Sequence, residues 1–285
     1  MNWARAVPGL LFCICFITSC FTNKYVLSVL KFTYPTLFQG WQSCTGALLL
    51  WVTGKLGWVE ISTFPRSAAA YWLPGAVLFL GNIYGGSKAL SMLSHTERGE
   101  HRDTSLQRLS WMRTISSVLI LGSAVTLTLQ NLQFGPDPYF WAFVHFCCVG
   151  SYRVFQKNFK SSHLSELEQQ FINYVVSLLL LASAAHPTGD LFDVLEFPFR
   201  SSYKFYSGCF ASGILGFFLL LAGVKLKTGP SLVHCAVWLF LAKILASGLS
   251  IFLFSTEFGL LTWCCIFMNH AAEALNIHAN RALER

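Results

Sequence analysis

Apolar runs of about 20 residues recur along this chain, from its first residues to its last thirty. A run of this length with few charges is long enough to cross the hydrocarbon core of a bilayer as an α-helix. Lipid offers no hydrogen-bond partners to the backbone, so each such segment must satisfy its own polar groups, which a helix does. The sequence therefore predicts an all-α, polytopic membrane helix bundle.

The composition leads to the same prediction. Of the 285 residues, 54% are hydrophobic and 12% are charged, and the mean hydropathy is +0.52. Soluble domains carry roughly 25% charged residues, because their surface faces water. Half that share indicates that most of this surface faces lipid. The first apolar run has no small-residue cleavage site at its end, which favours a retained span over a removable signal.

The apolar runs and their breaks predict nine spans and no soluble domain. A dense cluster of charges at 94–113 is too polar to cross the membrane and interrupts the pattern. We expect a first membrane repeat at 1–130, with this polar insertion, and a second at 131–285. The predicted spans are 7–30, 35–53, 68–94, 114–130, 138–155, 169–186, 203–224, 230–254 and 258–276.

The net charge of +7 does not point to nucleic acid, because the basic residues lie in short loops between apolar runs. Basic residues in short loops favour the cytosolic side of a membrane. Within each half of the chain, basic loops alternate with loops poor in Lys and Arg. The two halves agree on one orientation only if one more span lies before residue 113, so we expect that a helix has been lost from an ancestral ten.

The sequence offers little for catalysis or for metal binding. Its ten cysteines nearly all lie inside apolar runs and form no CxxC pair, which is typical of small packing residues. The only histidine and carboxylate at helical spacing within a span are His270 and Glu273. We therefore predict that the chain is not an enzyme and that it needs neither a metal nor a cofactor.

Three segments carry a family resemblance. Residues 22–28 read Thr-Asn-Lys-Tyr-Val-Leu-Ser, residues 32–39 read Phe-Thr-Tyr-Pro-Thr-Leu-Phe-Gln, and residues 86–91 read Gly-Ser-Lys-Ala-Leu-Ser. In order and on successive spans, they resemble motifs of the nucleotide-sugar transporters in the drug/metabolite transporter superfamily. The chain looks most like the vertebrate relatives of the GDP-mannose transporter.

The resemblance implies two inverted five-helix repeats around a central cavity, an arrangement that allows alternating access. It implies exchange of a cytosolic nucleotide sugar for a lumenal nucleoside monophosphate across a Golgi membrane, with the endoplasmic reticulum as second choice. The partners would be these nucleotides and the lipid bilayer, without nucleic acid, and a homodimer is compatible with the sequence. The family's fourth helix is not recognisable here, so a non-transporting membrane isoform or scaffold, or a carrier of another metabolite, stays open.

One family element recognises the base of the nucleotide. At the matching place this chain has Phe171, Ile172, Asn173 and Tyr174. Asn173 matches an asparagine of the family, and an amide can both donate to and accept from a base edge. The family's second asparagine is a tyrosine here, which favours UDP-N-acetylglucosamine over GDP-mannose. Capping or packing of Asn173 within its own helix is the alternative.

A second family element supplies a lysine to the phosphates, and Lys243 lies at its place. A charge well inside a span is costly unless it faces a cavity or a partner, and a diphosphate suits a compact ammonium. Ser247 lies one turn further on the same face. The matched motifs add Asn23 and Lys88 as substrate-binding candidates. Snorkelling to the membrane surface is the alternative for the lysines.

Overall fold

The computed structural model describes residues 3–61, 66–92, 137–159, 164–187, 189–199, 201–228, 231–254 and 260–283. Its regular elements in this part of the chain are all helical. We number the α-helices in chain order. They are α1 Trp3–Lys24, α2 Pro35–Lys55, α3 Arg66–Met92, α4 Asp137–Asn158, α5 Glu166–Ala185, the short α6 Asp190–Asp193, α7 Tyr203–Lys227, α8 Leu232–Phe254 and α9 Leu260–Leu283. A π-helical turn, Tyr25–Val29, extends α1, and a 3-10 turn, Val194–Glu196, follows α6.

The all-helical fold class is confirmed in the described residues. The eight long helices there coincide with eight of the nine predicted spans. The predicted span at 114–130 and the polar insertion at 94–113 lie outside the described residues. The nine-span count and the two five-helix repeats remain predictions.

Most helix ends differ from the predicted boundaries by a few residues, and the start of α5 and the end of α9 are two examples. α5 begins at Glu166, three residues before the predicted start, because its first turn is polar and closes a capping box. The Ser165 amide donates to Glu168 Oε2 at 2.8 Å, and the Glu168 amide donates to Ser165 Oγ at 3.3 Å. Such reciprocal bonds satisfy amides that have no partner within the helix. α9 extends to Leu283, past the predicted end at 276, through a turn that carries Arg281.

Three described helices are long and apolar enough to cross a membrane by the usual test of length and hydropathy. They are Ala6–Val29, Tyr203–Lys227 and Val233–Ser250, and a fourth follows if α5 and the bent Asp190–Glu196 segment form one span. Other long helices, such as α3 and α9, carry more polar residues. The chain is a multi-pass membrane protein.

The helices divide between two compact units. The first contains the N-terminal part of α1 together with Leu221–Arg285, and the second contains Phe21–Ser94 and Asp137–Leu220. These limits fall within α1 and α7, because each of those helices is continuous through a boundary. The predicted division at residue 130 lies outside the described residues and stays a prediction.

In the second unit, α3 packs against α4 and α5, and α2 packs against α5. A Cβ built on Gly75 would lie 2.5 Å from the Phe155 ring, and one on Gly85 would lie 3.2 Å from the His145 amide nitrogen. Along α3 the residue number rises while the number of its partner on α4 falls. α3 and α4 are therefore antiparallel, and α3 ends at the same end of the pair at which α4 begins.

Candidate functional site

A lysine and a glutamate form an ion pair at the middle of two apolar helices. Lys243 is the central residue of the 23-residue α8, and Glu273 lies near the middle of α9. The Lys243 ammonium lies 3.0 Å from Glu273 Oε1, with side-chain exposures of 16% and 17%. The sequence predicted a partner or a cavity for this lysine, and the structure provides the glutamate.

The surroundings of this pair combine small, aromatic and polar side chains. On α8, Ser247 is half-buried and Ser250 is buried, one and two turns beyond Lys243. One turn before it, the Phe240 ring lies 6.2 Å from the His270 ring of α9. The pair is thus flanked on one side by hydroxyls and on the other by rings, a composition suited to a polar ligand held in an apolar wall.

The N-terminal part of α1 packs against the same helix, α8. A Cβ on Gly9 would lie 2.1 Å from the Trp238 ring, so this approach requires a glycine. The Cys13 thiol donates to the Trp238 carbonyl at 3.6 Å. The Trp238 indole N–H donates to His234 Nε2 at 3.1 Å. These contacts hold the first half of α8 against the N-terminal part of α1.

Asn173 in the second unit is fully buried and makes hydrogen bonds through both ends of its amide. Trp72 Nε1 donates to Asn173 Oδ1 at 2.9 Å. Asn173 Nδ2 donates to the Tyr152 hydroxyl at 2.8 Å and to Gln170 Oε1 at 3.3 Å. The side chain therefore joins α3, α4 and α5, so it has a packing role between helices in addition to the Gln170 contact within its own helix.

The aromatic neighbours of Asn173 are less enclosed. Phe171 and Tyr174 are half-buried on α5. Tyr174 covers Gly46 of α2, where a Cβ would lie 2.6 Å from its ring, and its ring lies 6.0 Å from that of Phe79 in an edge-to-face arrangement. Tyr174 is thus held between α2, α3 and α5, with a ring that remains partly accessible.

Asn23 belongs to a polar cluster of three helices in the same unit. Its Oδ1 accepts from Ser212 Oγ at 2.6 Å and from Gln42 Nε2 at 3.1 Å, and Gln42 also donates to Ser212. One turn before Gln42, Gln39 donates to Ser87. Lys88, the residue after Ser87, is half-buried.

Sequence reasoning did not assign a role to Gln39 or Gln42. The signal was present, because two glutamines one helical turn apart in an apolar run mark a polar stripe. Gly208, Ser212 and Gly216 stand at four-residue spacing on α7, a pattern typical of close helix packing. A Cβ on Gly208 would lie 2.8 Å from Val26, and Ser212 is buried.

The site candidates divide between the two units. Lys243 and Ser247 share one face of α8 in the first unit. Asn23, Lys88, Phe171, Asn173 and Tyr174 all belong to the second unit. No group of three or more His, Cys, Asp or Glu in the described residues is placed to hold a metal ion, and all ten cysteines are free thiols.

Comparison with known proteins gives full-length relatives, while no family model matches. The chain is 46% identical to the UDP-N-acetylglucosamine transporter TMEM241 of Mus musculus, over 99% of both chains. It is 48% identical to the UDP-N-acetylglucosamine transporter TMEM241 homolog of Xenopus laevis, again over 99% of both. GDP-mannose transporter 1 of Cryptococcus neoformans is 36% identical over 90 residues, which are 32% of this chain and 23% of that protein.

Nearly half of the residues are identical to those of these two relatives, along almost the whole chain. The shorter match to a GDP-mannose transporter links the same sequence to the wider group that the motifs indicated. The central charges in apolar helices and the buried polar clusters fit a membrane carrier of polar solutes. The chain belongs to the nucleotide-sugar transporter family.

Proposed function

We propose that this protein carries UDP-N-acetylglucosamine across a Golgi membrane into the lumen, in exchange for a nucleoside monophosphate. The observation that carries the proposal is the identity of 46% and 48%, over 99% of each chain, to relatives that are named for this substrate. GDP-mannose ranks second, because the GDP-mannose transporters match over shorter stretches and at lower identity: 36% over 32% of the chain for Cryptococcus neoformans and 22% over 61% for Coccidioides immitis. The endoplasmic reticulum is the second choice of membrane.

In this proposal Lys243 meets the diphosphate of the substrate. It is a cation at the centre of a spanning helix, and its half-buried neighbour Ser247 can add a hydroxyl contact to the phosphate oxygens. Charge-assisted hydrogen bonds to phosphate are about twice as strong as neutral ones. The ion pair with Glu273 must open for this contact to form.

The base of the nucleotide would be recognised by Phe171, Asn173 and Tyr174, with Asn23 and Lys88 as further contacts. The partly accessible rings of Phe171 and Tyr174 support stacking on a base. Asn173 would reach the base by exchanging one of its present hydrogen bonds, which join it to Trp72 and to α4. We therefore expect its substitution to affect both packing and base preference.

We further propose that the two termini lie on the cytosolic face. The antiparallel pairing of α3 and α4 supports an even number of crossings between them, because a single crossing at 114–130 would make them parallel. With an even number, every loop rich in Lys and Arg shares one face, as the positive-inside rule requires. These loops follow α2, α4, α7 and α9, and begin near Lys55, Lys157, Lys225 and Arg281.

The relatives are too similar in length to this chain for a whole helix to have been lost from this chain alone. The alignment with the mouse transporter extends over 293 positions, of which about 282 are residues of this chain. That leaves room in the relative for about 11 inserted residues, whereas a spanning helix needs about 20. The non-transporting isoform inferred from a missing helix is therefore not favoured.

Exchange in proteoliposomes tests the proposed function. The purified full-length chain, loaded inside with uridine monophosphate, should take up labelled UDP-N-acetylglucosamine faster than labelled GDP-mannose, and the Lys243→Gln variant should not. Liposomes without internal nucleotide are the control for exchange. Equal uptake with and without internal nucleotide would contradict antiport, and no uptake of either sugar nucleotide would overturn the proposal.

A further inference from the structure

Lys243 and Glu273 form an ion pair between α8 and α9, with 3.0 Å between Lys243 Nζ and Glu273 Oε1. Both residues lie near the centre of their helices, and both are mostly buried. Glu273 is therefore positioned to neutralise the cation that the proposed function assigns to the substrate. Glu273 accepts a hydrogen bond from the Lys243 ammonium at 3.0 Å.

The Glu273 carboxylate and a substrate phosphate would compete for the Lys243 ammonium, for electrostatic reasons. Two opposite charges in an interior of low dielectric attract each other far more strongly than in water, and either one left alone there is costly. A phosphate that approaches Lys243 must replace the Glu273 carboxylate, because both acceptors need the same ammonium. The apparent affinity is then the intrinsic affinity multiplied by the fraction of molecules in which Lys243 is not held by Glu273.

We propose that Glu273 is a competing counter-ion that occupies Lys243 in the absence of substrate and helps to displace the diphosphate when it leaves. The inference rests on the proposed function, and it adds a residue that tunes the affinity for phosphate. A carrier must release its substrate as well as bind it, so a lower affinity for the diphosphate speeds release and raises kcat. Glu273 thus lowers the affinity for the substrate and raises the rate of transport.

Equilibrium binding to the full-length protein in detergent is the first test, with UDP and uridine as probes. Glu273→Gln keeps the side-chain shape and a hydrogen-bond acceptor but removes the charge that competes with phosphate. We expect roughly tenfold tighter binding of UDP by this variant, which corresponds to about 1.4 kcal/mol. Uridine, which has no phosphate, should bind as it does to the unaltered protein.

Transport kinetics provide the second readout. The Glu273→Gln variant should show a lower KM for the sugar nucleotide together with a lower kcat, because tighter binding slows release. Glu196→Gln is the matched control, since it removes an exposed carboxylate outside the long helices, and it should change neither constant. If the ion pair is purely structural, Glu273→Gln should lower the protein level without lowering KM and kcat together.

The double variant Lys243→Gln with Glu273→Gln separates the two roles. A structural pair predicts that this variant, which leaves no charge unpaired, binds UDP like the unaltered protein; the competing counter-ion predicts that UDP binding is lost. Where Glu273→Gln does not fold, Glu273→Asp withdraws the carboxylate by one methylene and should tighten UDP binding to a smaller extent. Unchanged UDP affinity in these Glu273 variants overturns the inference.

Failure of this inference differs from failure of the proposed function. If the unaltered protein exchanges nucleotide sugars and Glu273→Gln binds UDP no more tightly, the function stands and Glu273 is not a competitor. If the unaltered protein exchanges no nucleotide sugar, the proposed function fails, and the comparison of UDP with uridine still decides whether Glu273 competes with a phosphate.

Discussion

At the scale of single residues, Asn173 shows what a buried amide does in this protein. Its two ends bind partners 101 and 21 residues away in the sequence. Burial of a polar group without a partner is costly, so the side chains of Trp72, Tyr152 and Asn173 depend on one another for their hydrogen bonds. Such a network fixes the relative position of α3, α4 and α5 in addition to any contact with a nucleotide.

Replacing Asn173 by Ala should destabilise the protein, because Trp72 Nε1 loses its acceptor and the Tyr152 hydroxyl loses its donor. A buried polar group left without a partner costs about 1–3 kcal/mol. The melting temperature of the purified protein in detergent should fall, and the preference for UDP over GDP in competition should narrow. Ser183→Ala on the exposed face of α5 is the control, and an unchanged melting temperature for Asn173→Ala would contradict the network.

Lys243→Gln should lower stability as well as uptake, because it leaves the Glu273 carboxylate without its cation. Breaking a buried pair by removing one partner costs roughly 3–5 kcal/mol, and the residual exposure of this pair places the expected loss toward the lower end. The measurement is thermal unfolding of the single and double variants. The double variant should recover most of the lost stability, and a single variant as stable as the unaltered protein would exclude a buried pair.

At the scale of helices, the sequence allowed good prediction of where helices lie and poor prediction of what they contact. Apolar runs locate α2, α7 and α8 to within a few residues, because lipid demands apolar surface over a fixed length. The start of α5 was missed, since its capping box is polar and precedes the apolar run. Partners such as Glu273 for Lys243 depend on helix rotation and crossing, which a run of apolar residues does not record.

Disulfide cross-linking tests the pairing of α3 with α4. A Cβ built on Gly81 would lie 3.5 Å from Cys148 Cβ, which is within the range found in disulfides. We expect Gly81→Cys to form a disulfide with Cys148 under mild oxidation, detected as a linked peptide by mass spectrometry. The same variant with Cys148→Ser is the control, and absence of the link in well-folded protein would mean that the helices pair differently.

At the scale of the whole molecule, the charge pattern and the antiparallel pairing of α3 with α4 both support the proposed topology. The sequence alone gave two halves with opposite orientations, because only one crossing was visible between α3 and α4. In the proposed topology this conflict does not arise, because α3 ends at the same end of the antiparallel pair at which α4 begins. All the loops rich in Lys and Arg would then lie on the same face as Arg5.

Tags at both termini should therefore be accessible from the cytosol. In sealed microsomes, protease added outside should remove both an N-terminal and a C-terminal epitope, while a lumenal marker protein stays protected. Detergent, which opens the vesicles, should then allow digestion of the marker. Protection of one epitope but not the other would indicate an odd number of crossings and would restore the nine-span prediction.

The contact between Gly9 of α1 and Trp238 of α8 can form only after α8 has been synthesised, long after α1. Gly9 and Cys13 are synthesised early, and Trp238 follows 225 residues after Cys13. The Trp238 ring covers Gly9, and the Trp238 carbonyl accepts a hydrogen bond from the Cys13 thiol. At about 5–20 residues per second, α1 waits on the order of ten to forty seconds for this partner. During that wait its glycine face must be covered by lipid or by the insertion machinery. A chain that stops before α8 leaves that face uncovered permanently, so a nonsense mutation late in the gene should expose the first helix to the quality control of the membrane in which it is made.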